Sequence, residues 1–282
     1  MQRERVTDTI HVFRSDLYVQ VTAGLVMTEA GAVLIDTLLY PEETAAIKRF
    51  VEQRLGSHVK YLINTHHHAD HTLGTCFFPD AHVISHRLCR ELLDTRGRDA
   101  IRSMQESSND LADTQVVLPA TVFDEQMTLT VGDQTFELTW SPGHSEDSIT
   151  CLVADSQVLF AADTVMPLPT FVDGNIDQLV GSIQRLQHQP YETIIQGHGE
   201  VILRGELPGR LEEDLNYLSA LKTQVERAIS NGKKSPHEIA DVIPVEACGK
   251  EKIVLHGAAI QLHESNVYAL AASMLSNAPV NT

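Results

Sequence analysis

The chain of 282 residues is 43% hydrophobic, enough for one large domain or a core with an appendage. Its 38 acidic and 21 basic residues leave a formal net charge of −17, which argues against sequence-independent binding to nucleic acid or to an anionic membrane, where Lys and Arg must cluster. No stretch approaches the roughly 18 apolar residues of a spanning helix, and the opening "MQRERVTDTI" lacks the apolar run of a signal peptide.

Residues 10–36 read as strands, with β-branched residues, partial alternation and a turn at Glu29-Ala30-Gly31. A helix follows at "PEETAAIKRFVEQRL", where Pro41 suits the first turn and Glu42 and Glu43 face the positive end of the helix dipole. The short apolar strand "VKYLINT" runs into a histidine cluster, and "AHVIS" is another strand. Residues 86–115 read as polar helix without clear boundaries. A second β run opens near Thr121. "MTLTVGDQTFELTWS" gives two strands around Gly132-Asp133, and "SITCLVADSQVLFAAD" gives a hairpin around Asp155-Ser156. A helix over about 175–187 and the strand "YETIIQGHG" complete a unit that resembles the first: strands, then a helix, then a strand.

Past Gly205 the pattern is helical. Leu211, Leu215, Leu218, Leu221, Val225 and Ile229 recur every three or four residues, and Asn231-Gly232 is a stop signal. Ser235 as N-cap, Pro236 behind it and Glu238 three after the cap form a capping box. A last helical stretch is expected from Lys252 to Leu275. With no repeat or linker, the expected organisation is a catalytic domain over 1–205 and a helical region over 206–282 packed on it. Cys76, Cys89, Cys151 and Cys248 form no CxxC pair and read as reduced, mostly buried thiols of a cytoplasmic protein.

Histidine is the compositional outlier, with 14 residues. "THHHADH", Thr65 to His71, places four of them beside an aspartate. In an extended segment alternate side chains point the same way, so His66 and His68 can converge on one ion while His67 points elsewhere. Asp70 and His71 can turn to a second ion. One loop cannot fill two coordination shells, and further ligands stand at the ends of other predicted strands: His144 after the Pro-Gly turn of "TWSPGHS", Asp163 in "VLFAADT" and His198 in "IIQGHGE". Taken singly, His144 reads as a loop histidine and Asp163 as a helix cap. Taken together, their placement at strand ends calls for metal. A carboxylate ending an apolar strand is costly without a partner, and a pair of cations would let Asp163 bridge them. Imidazole and carboxylate donors suit zinc, or iron or manganese.

The motifs "HHHADH", "SPGHS", "AADT" and "GHG", in this order, resemble the metallo-β-lactamase-fold superfamily. "VLIDT", with Asp36, and "FPDAHVISH" are similar to its strand landmarks, and the resemblance covers roughly residues 10–205. It implies an α/β fold, an αββα sandwich with the site along one edge of both sheets, here extended by C-terminal helices. It further implies that His66, His68 and His144 hold one divalent ion, Asp70, His71 and His198 the other, and that Asp163 bridges them. Asp70 would hold the attacking hydroxide and shuttle its proton.

Two dications sharing a hydroxide suit acyl and phosphoryl transfer alike. The expected activity is hydrolysis of a small ester, thioester or lactone, in a glyoxalase-II-like or lactonase-like branch, with the small molecule as partner; the sequence does not specify an oligomeric state. Asp163 disfavours a true β-lactamase, and Met166 stands where lactonases of the family carry tyrosine. Alternatives are a mononuclear iron persulfide dioxygenase of the same fold, and phosphodiesterase or β-lactamase activity. Asp36 is expected to orient the ligand loop by hydrogen bonding, and Cys151 and Trp140 to pack. His256 and His263, seven apart, either share a helix face over the site or pack. Lys250 and Lys252 either anchor an acidic substrate or are solvated.

Overall fold

The computed structural model describes residues 1–276. Its first sheet is built from β1 (Gln2–Arg5), β2 (Ile10–Arg14), β3 (Thr22–Thr28), β4 (Gly31–Ile35), β5 (Val59–Ile63), β6 (His82–His86) and β7 (Thr121–Phe123), in that spatial order. β1 to β4 run antiparallel. Helix α1 (Pro41–Arg49), prolonged by a wider turn over Phe50–Arg54, then crosses over so that β5 lies parallel to β4. The second sheet holds β8 (Gln126–Val131), β9 (Gln134–Trp140), β10 (Ile149–Val153), β11 (Val158–Ala162), β12 (Thr193–Gln196) and β13 (Ile202–Leu203). Its meander also ends in a crossover, through the helix Ile176–Leu186, to a parallel strand, β12. The repetition of strands, helix and strand expected from the sequence is therefore real.

β4 and β11 are apolar throughout because both of their faces are covered. Along β4, Val33 and Ile35 point into the space between the sheets while Ala32 and Leu34 point to α1. Along β11, Val158 and Phe160 enter that same inner layer, and Leu159 and Ala161 face outward. The inner layer joins Ile63, Ile84 and Phe123 to Phe136, Leu138 and Ile195. The result is a four-layer αββα sandwich.

Between β6 and β7 the polar helical stretch resolves into two helices, Arg87–Leu92 and Arg98–Ser107, joined by a wide turn. Numbering the helices along the chain, the one-turn helix Ala69–Thr72 is α2, these two are α3 and α4, and the second-sheet crossover is α5. The C-terminal part comprises α6 (Leu207–Ser230), α7 (Pro236–Ala240) and α8 (Ala259–Ser276). Ser235 caps α7 by accepting from the Glu238 amide. Apolar side chains of α6 and α8, such as Leu218, Leu221, Val225 and Val267, join one cluster with Ile183 of α5 and with Leu159, Ala161 and Ile194 of the second sheet.

Three elements depart from expectation. β1 is fully exposed and alternates charge rather than hydrophobicity, so nothing in its pattern marks a strand. β13 is only two residues long. The last helix starts at Ala259 and not at Lys252, because Leu255 and His256 adopt left-handed conformations, with φ of 52° and 56°, that no continuous right-handed helix permits. His256 therefore lies outside the helix and is exposed, His263 is buried inside it, and the two share no face.

Deleting the chain beyond Gly205 should expose Leu159, Ala161, Ile183 and Ile194, and the product should aggregate on size-exclusion chromatography. A soluble monomer would show that the helices are not needed to cover this face.

Candidate metal centre

The parallel pairs β4–β5 and β11–β12 bring the carboxyl ends of four strands to one edge of the sandwich, where ligands collect in open α/β sheets. The sheets are stitched together there by the Thr22 amide donating to the Gly197 carbonyl at 2.8 Å and the Ile149 amide to the Thr65 carbonyl at 2.9 Å. The histidine segment leaves β5 as a loop through His68, whose extended backbone starts α2. Asp70 and His71 come off the helical turn of α2, which aims them away from the His66–His68 stretch. His67 turns into the protein, where its Nδ1 meets Asp147 Oδ1 at 3.0 Å.

Asp36, just past β4, organises this segment. Its carboxylate accepts from the Thr65 amide (2.9 Å), the Thr65 hydroxyl (2.7 Å) and His71 Nδ1 (2.9 Å). Burial pushes its pKa up, against the opposing pull of these donors. His144 follows a turn in which Gly143, with φ of 140°, lies so close to α5 that an added Cβ would stand 2.3 Å from the Leu179 backbone. Asp163 follows Ala162, itself left-handed with φ of 46°. An added Cβ on Gly197 would stand 1.8 Å from Asp163 Oδ1. Glycine there lets β12 deliver His198 without displacing the carboxylate.

Five imidazoles converge, and each has its outward nitrogen occupied. His144 Nδ1 donates to the Thr170 carbonyl at 3.0 Å, His198 Nδ1 to the Val19 carbonyl at 2.8 Å and His71 Nδ1 to Asp36. His68 uses Nε2 toward Asp173 Oδ2 at 2.9 Å. His66 Nδ1 donates at 3.1 Å to the Thr65 hydroxyl, whose own proton is committed to Asp36. These partners fix the tautomer of each ring when it is neutral, and its inward nitrogen then presents a lone pair. His68 Nδ1 then lies 3.1 Å from His66 Nε2 and 3.0 Å from His144 Nε2. Lone pairs at such distances repel unless a cation lies among them.

A proton on His68 Nδ1 would relieve only one of these contacts. Burial pushes His66 well below its ordinary pKa and His144 down to about 4, so both stay neutral. Burial also acts on His71, but the carboxylates of Asp163, Asp70 and Asp36 outweigh it and raise this pKa well above the ordinary value. Burial alone would raise Asp163, yet the imidazoles of His198, His71 and His144 hold it well below the usual range. His71 Nε2 and Asp163 Oδ1 are buried without a hydrogen-bond partner, although buried polar atoms normally have one. Two sets of donors fit a divalent ion each: His66, His68, His144 and Asp163, and Asp70, His71 and His198. Asp163 Oδ1 lies 3.3 Å from His71 Nε2 and its Oδ2 lies 3.3 Å from His144 Nε2, so it spans both sets.

The centre opens into a cavity of about 340 Å³ walled by Tyr18, Leu39, Met104, Met166, Val172 and Leu262. It draws on the N-terminal loop, α4 and α8, and among the described residues no Lys or Arg lines it. The charge of Asp70 and burial push the Tyr18 phenol up to about 12, so it stays a neutral donor. Of the remaining sequence candidates, Lys250 is neither solvated nor among the residues that line the cavity. It is buried and pairs with Asp214 at 2.7 Å beneath α6. Lys252 pairs with Glu246 on the surface. Trp140 stacks on His86, and Cys151 is core.

A family model described as the metallo-beta-lactamase superfamily matches residues 18–198. A hydroxyacylglutathione hydrolase of Rhodopseudomonas palustris is 26% identical over 194 residues, which are 68% of this chain and 65% of that protein. An atrochrysone carboxyl ACP thioesterase of Claviceps purpurea is 25% identical over 192 residues, 68% of this chain and 54% of that protein. The chain spans about half the length of three of the curated relatives it matches. A solved metallo-beta-lactamase of Pontibacter korlensis superposes with a TM-score of 0.61 at 20% identity, covering 77% of this chain and 98% of that one.

Gly197→Ala should cost about 1–3 kcal/mol, as forced overpacking does, because Asp163 or the β11–β12 pairing must shift. Gly205→Ala, with nothing within 4 Å of the new methyl, should stay within about 0.5 kcal/mol of the parent. Denaturant midpoints for the two variants check this, and equal midpoints would contradict the tight fit around Asp163.

Proposed function

The chain belongs to the metallo-beta-lactamase superfamily, and on that premise we propose that it is a dinuclear metal-dependent hydrolase of small, apolar esters, thioesters or lactones. The observation that carries the reading is the convergence of five inward imidazole nitrogens with Asp70 and Asp163 at the floor of an apolar cavity. Relatives named as hydrolases and thioesterases support a hydrolytic role. The donor set suits zinc, with iron or manganese accepting the same ligands. A pair of divalent ions supplies, when bound, Lewis acidity and a nucleophilic hydroxide at neutral pH.

The chain's own residues do the rest. Asp163 spans the two donor sets and so sets their spacing. Asp70, with Oδ2 3.4 Å from His198 Nε2 and its side chain partly open to the cavity, is placed to take a proton from the attacking water and return it to the leaving group. The apolar walls exclude water from an acyl group and favour its burial. An anionic leaving group or a polynucleotide finds no cationic side chain in the cavity and meets a chain of −17 formal charge. Four free cysteines suit a reducing compartment such as the cytoplasm. Among the described residues no helix is long and apolar enough to cross a membrane.

Turnover of aryl esters, acyl thioesters and lactones should exceed that of bis-p-nitrophenyl phosphate and nitrocefin in kcat/KM. A phosphodiester or β-lactam favoured at least tenfold over every carbon ester, about 1.4 kcal/mol of transition-state stabilisation, overturns the substrate assignment.

Neighbouring histidines should separate sharply. His68→Ala should lose roughly 100-fold or more in kcat, beyond the ~10–100-fold typical of residues that only support a ligand. His67→Ala should stay within about tenfold in kcat, yet lose about 1–3 kcal/mol of stability because Asp147 is left buried and unpaired. Equal kinetic damage from both would remove the distinction between them.

A further inference from the structure

Asn266 lies fully buried in α8, where an amide without partners would be costly. All of its polar atoms are engaged. Nδ2 donates to the Pro169 carbonyl at 2.8 Å and to the Tyr217 hydroxyl at 3.0 Å, and Oδ1 accepts from the Phe171 amide at 3.3 Å. The Tyr217 hydroxyl donates to His263 Nδ1 at 3.0 Å, and His263 Nε2 donates to the Ile243 carbonyl at 2.9 Å. That carbonyl can only accept, so the His263 tautomer is fixed, and with it the direction of every bond back to Asn266. His263, without a role in the site itself, anchors this relay.

The relay ends on a single peptide unit. The Thr170–Phe171 peptide gives its N–H to Asn266 and accepts at its carbonyl from His144 Nδ1, a donor it shares with the Thr170 hydroxyl, also at 3.0 Å. The unit is planar and trans, so holding its N–H end aims its C=O end. Donation at one end and acceptance at the other also polarise it cooperatively. Arg210 of α6 holds the other end of the same segment by donating to the Met166 carbonyl. We propose that Asn266, braced by Tyr217 and His263, is a positioning residue that aims His144 into the metal centre through the Thr170–Phe171 peptide. This rests on the metal-centre reading. It also carries an asymmetry. His71 and His198 take their outer bonds from Asp36 and the Val19 carbonyl, and among the described residues neither group is hydrogen-bonded to the C-terminal helices. Loss of Asn266 should therefore disturb one donor set and spare the other.

Two readouts on the full chain test this. In metal-free protein, the imidazole N–H correlation of His144 should move in Asn266→Leu while those of His71 and His198 hold still. In zinc titrations against a chromophoric chelator, the same variant should weaken one of two binding steps by roughly 10–100-fold and leave the other within about threefold. Val225→Ala, which opens a cavity in α6 away from the relay, should lower the melting temperature and move neither readout. If Asn266→Leu does not fold, Tyr217→Phe takes its place, with the same resonance shifted and the same step weakened to a smaller degree. An unmoved His144 resonance, or equal change in both zinc steps, overturns the inference. A parent protein that binds no zinc overturns the proposed function, while the resonance still decides the role of Asn266.

Discussion

Mutual repulsion among inward-facing imidazole nitrogens is the constraint around which the site is built. His68 Nδ1 is pressed to within 3.0 Å of His144 Nε2 and 3.1 Å of His66 Nε2, and outer hydrogen bonds prevent any of these rings from turning a proton inward at no cost. Such an arrangement persists only because the surroundings over-determine it. Asp36, the Val19 carbonyl, Thr65, Thr170 and Asp173 each hold one ring from behind. A cation among the nitrogens converts that repulsion into binding energy, which is how a folded protein stores affinity for metal.

The scaffold supplies this over-determination at some backbone cost. Val19, Asp36 and Ala162 all adopt left-handed conformations, with φ of 42°, 58° and 46°, and each adjoins a ligand or its support. Such residues cost on the order of 1–3 kcal/mol apiece. Their strain is concentrated at the ends of β4 and β11 and in the loop before β3, where the chain must leave the sheet abruptly to aim a side chain across the seam. The apolar layers on both faces of β4 and β11 provide the stability against which it is held.

The strand ends and the histidine run made the centre legible before any coordinates. His66, His68, Asp70, His71, His144, Asp163 and His198 stand out because metal-donor side chains closing apolar strands have few other uses, and they do meet in space. Asp36 was also readable, since an acid ending "VLID" needs a partner. The supports were not. A carbonyl such as Val19's carries no side-chain signature, and Asn266 lies 122 positions from the histidine it acts upon. Burial of Lys250 was equally hidden, because its partner Asp214 belongs to a helix whose apolar stripe gives no hint of an ion pair beneath it. The last helix starts later than its apolar pattern implies, because the left-handed conformations of Leu255 and His256 carry no signal in local propensity.

The central claim is that two divalent ions share this centre with Asp163 between them. The most direct measurement is elemental analysis of protein purified without chelator and desalted after equilibration with zinc. The account predicts close to two transition-metal ions per chain. A stable, active protein that retains a single iron, or none at all, would contradict it.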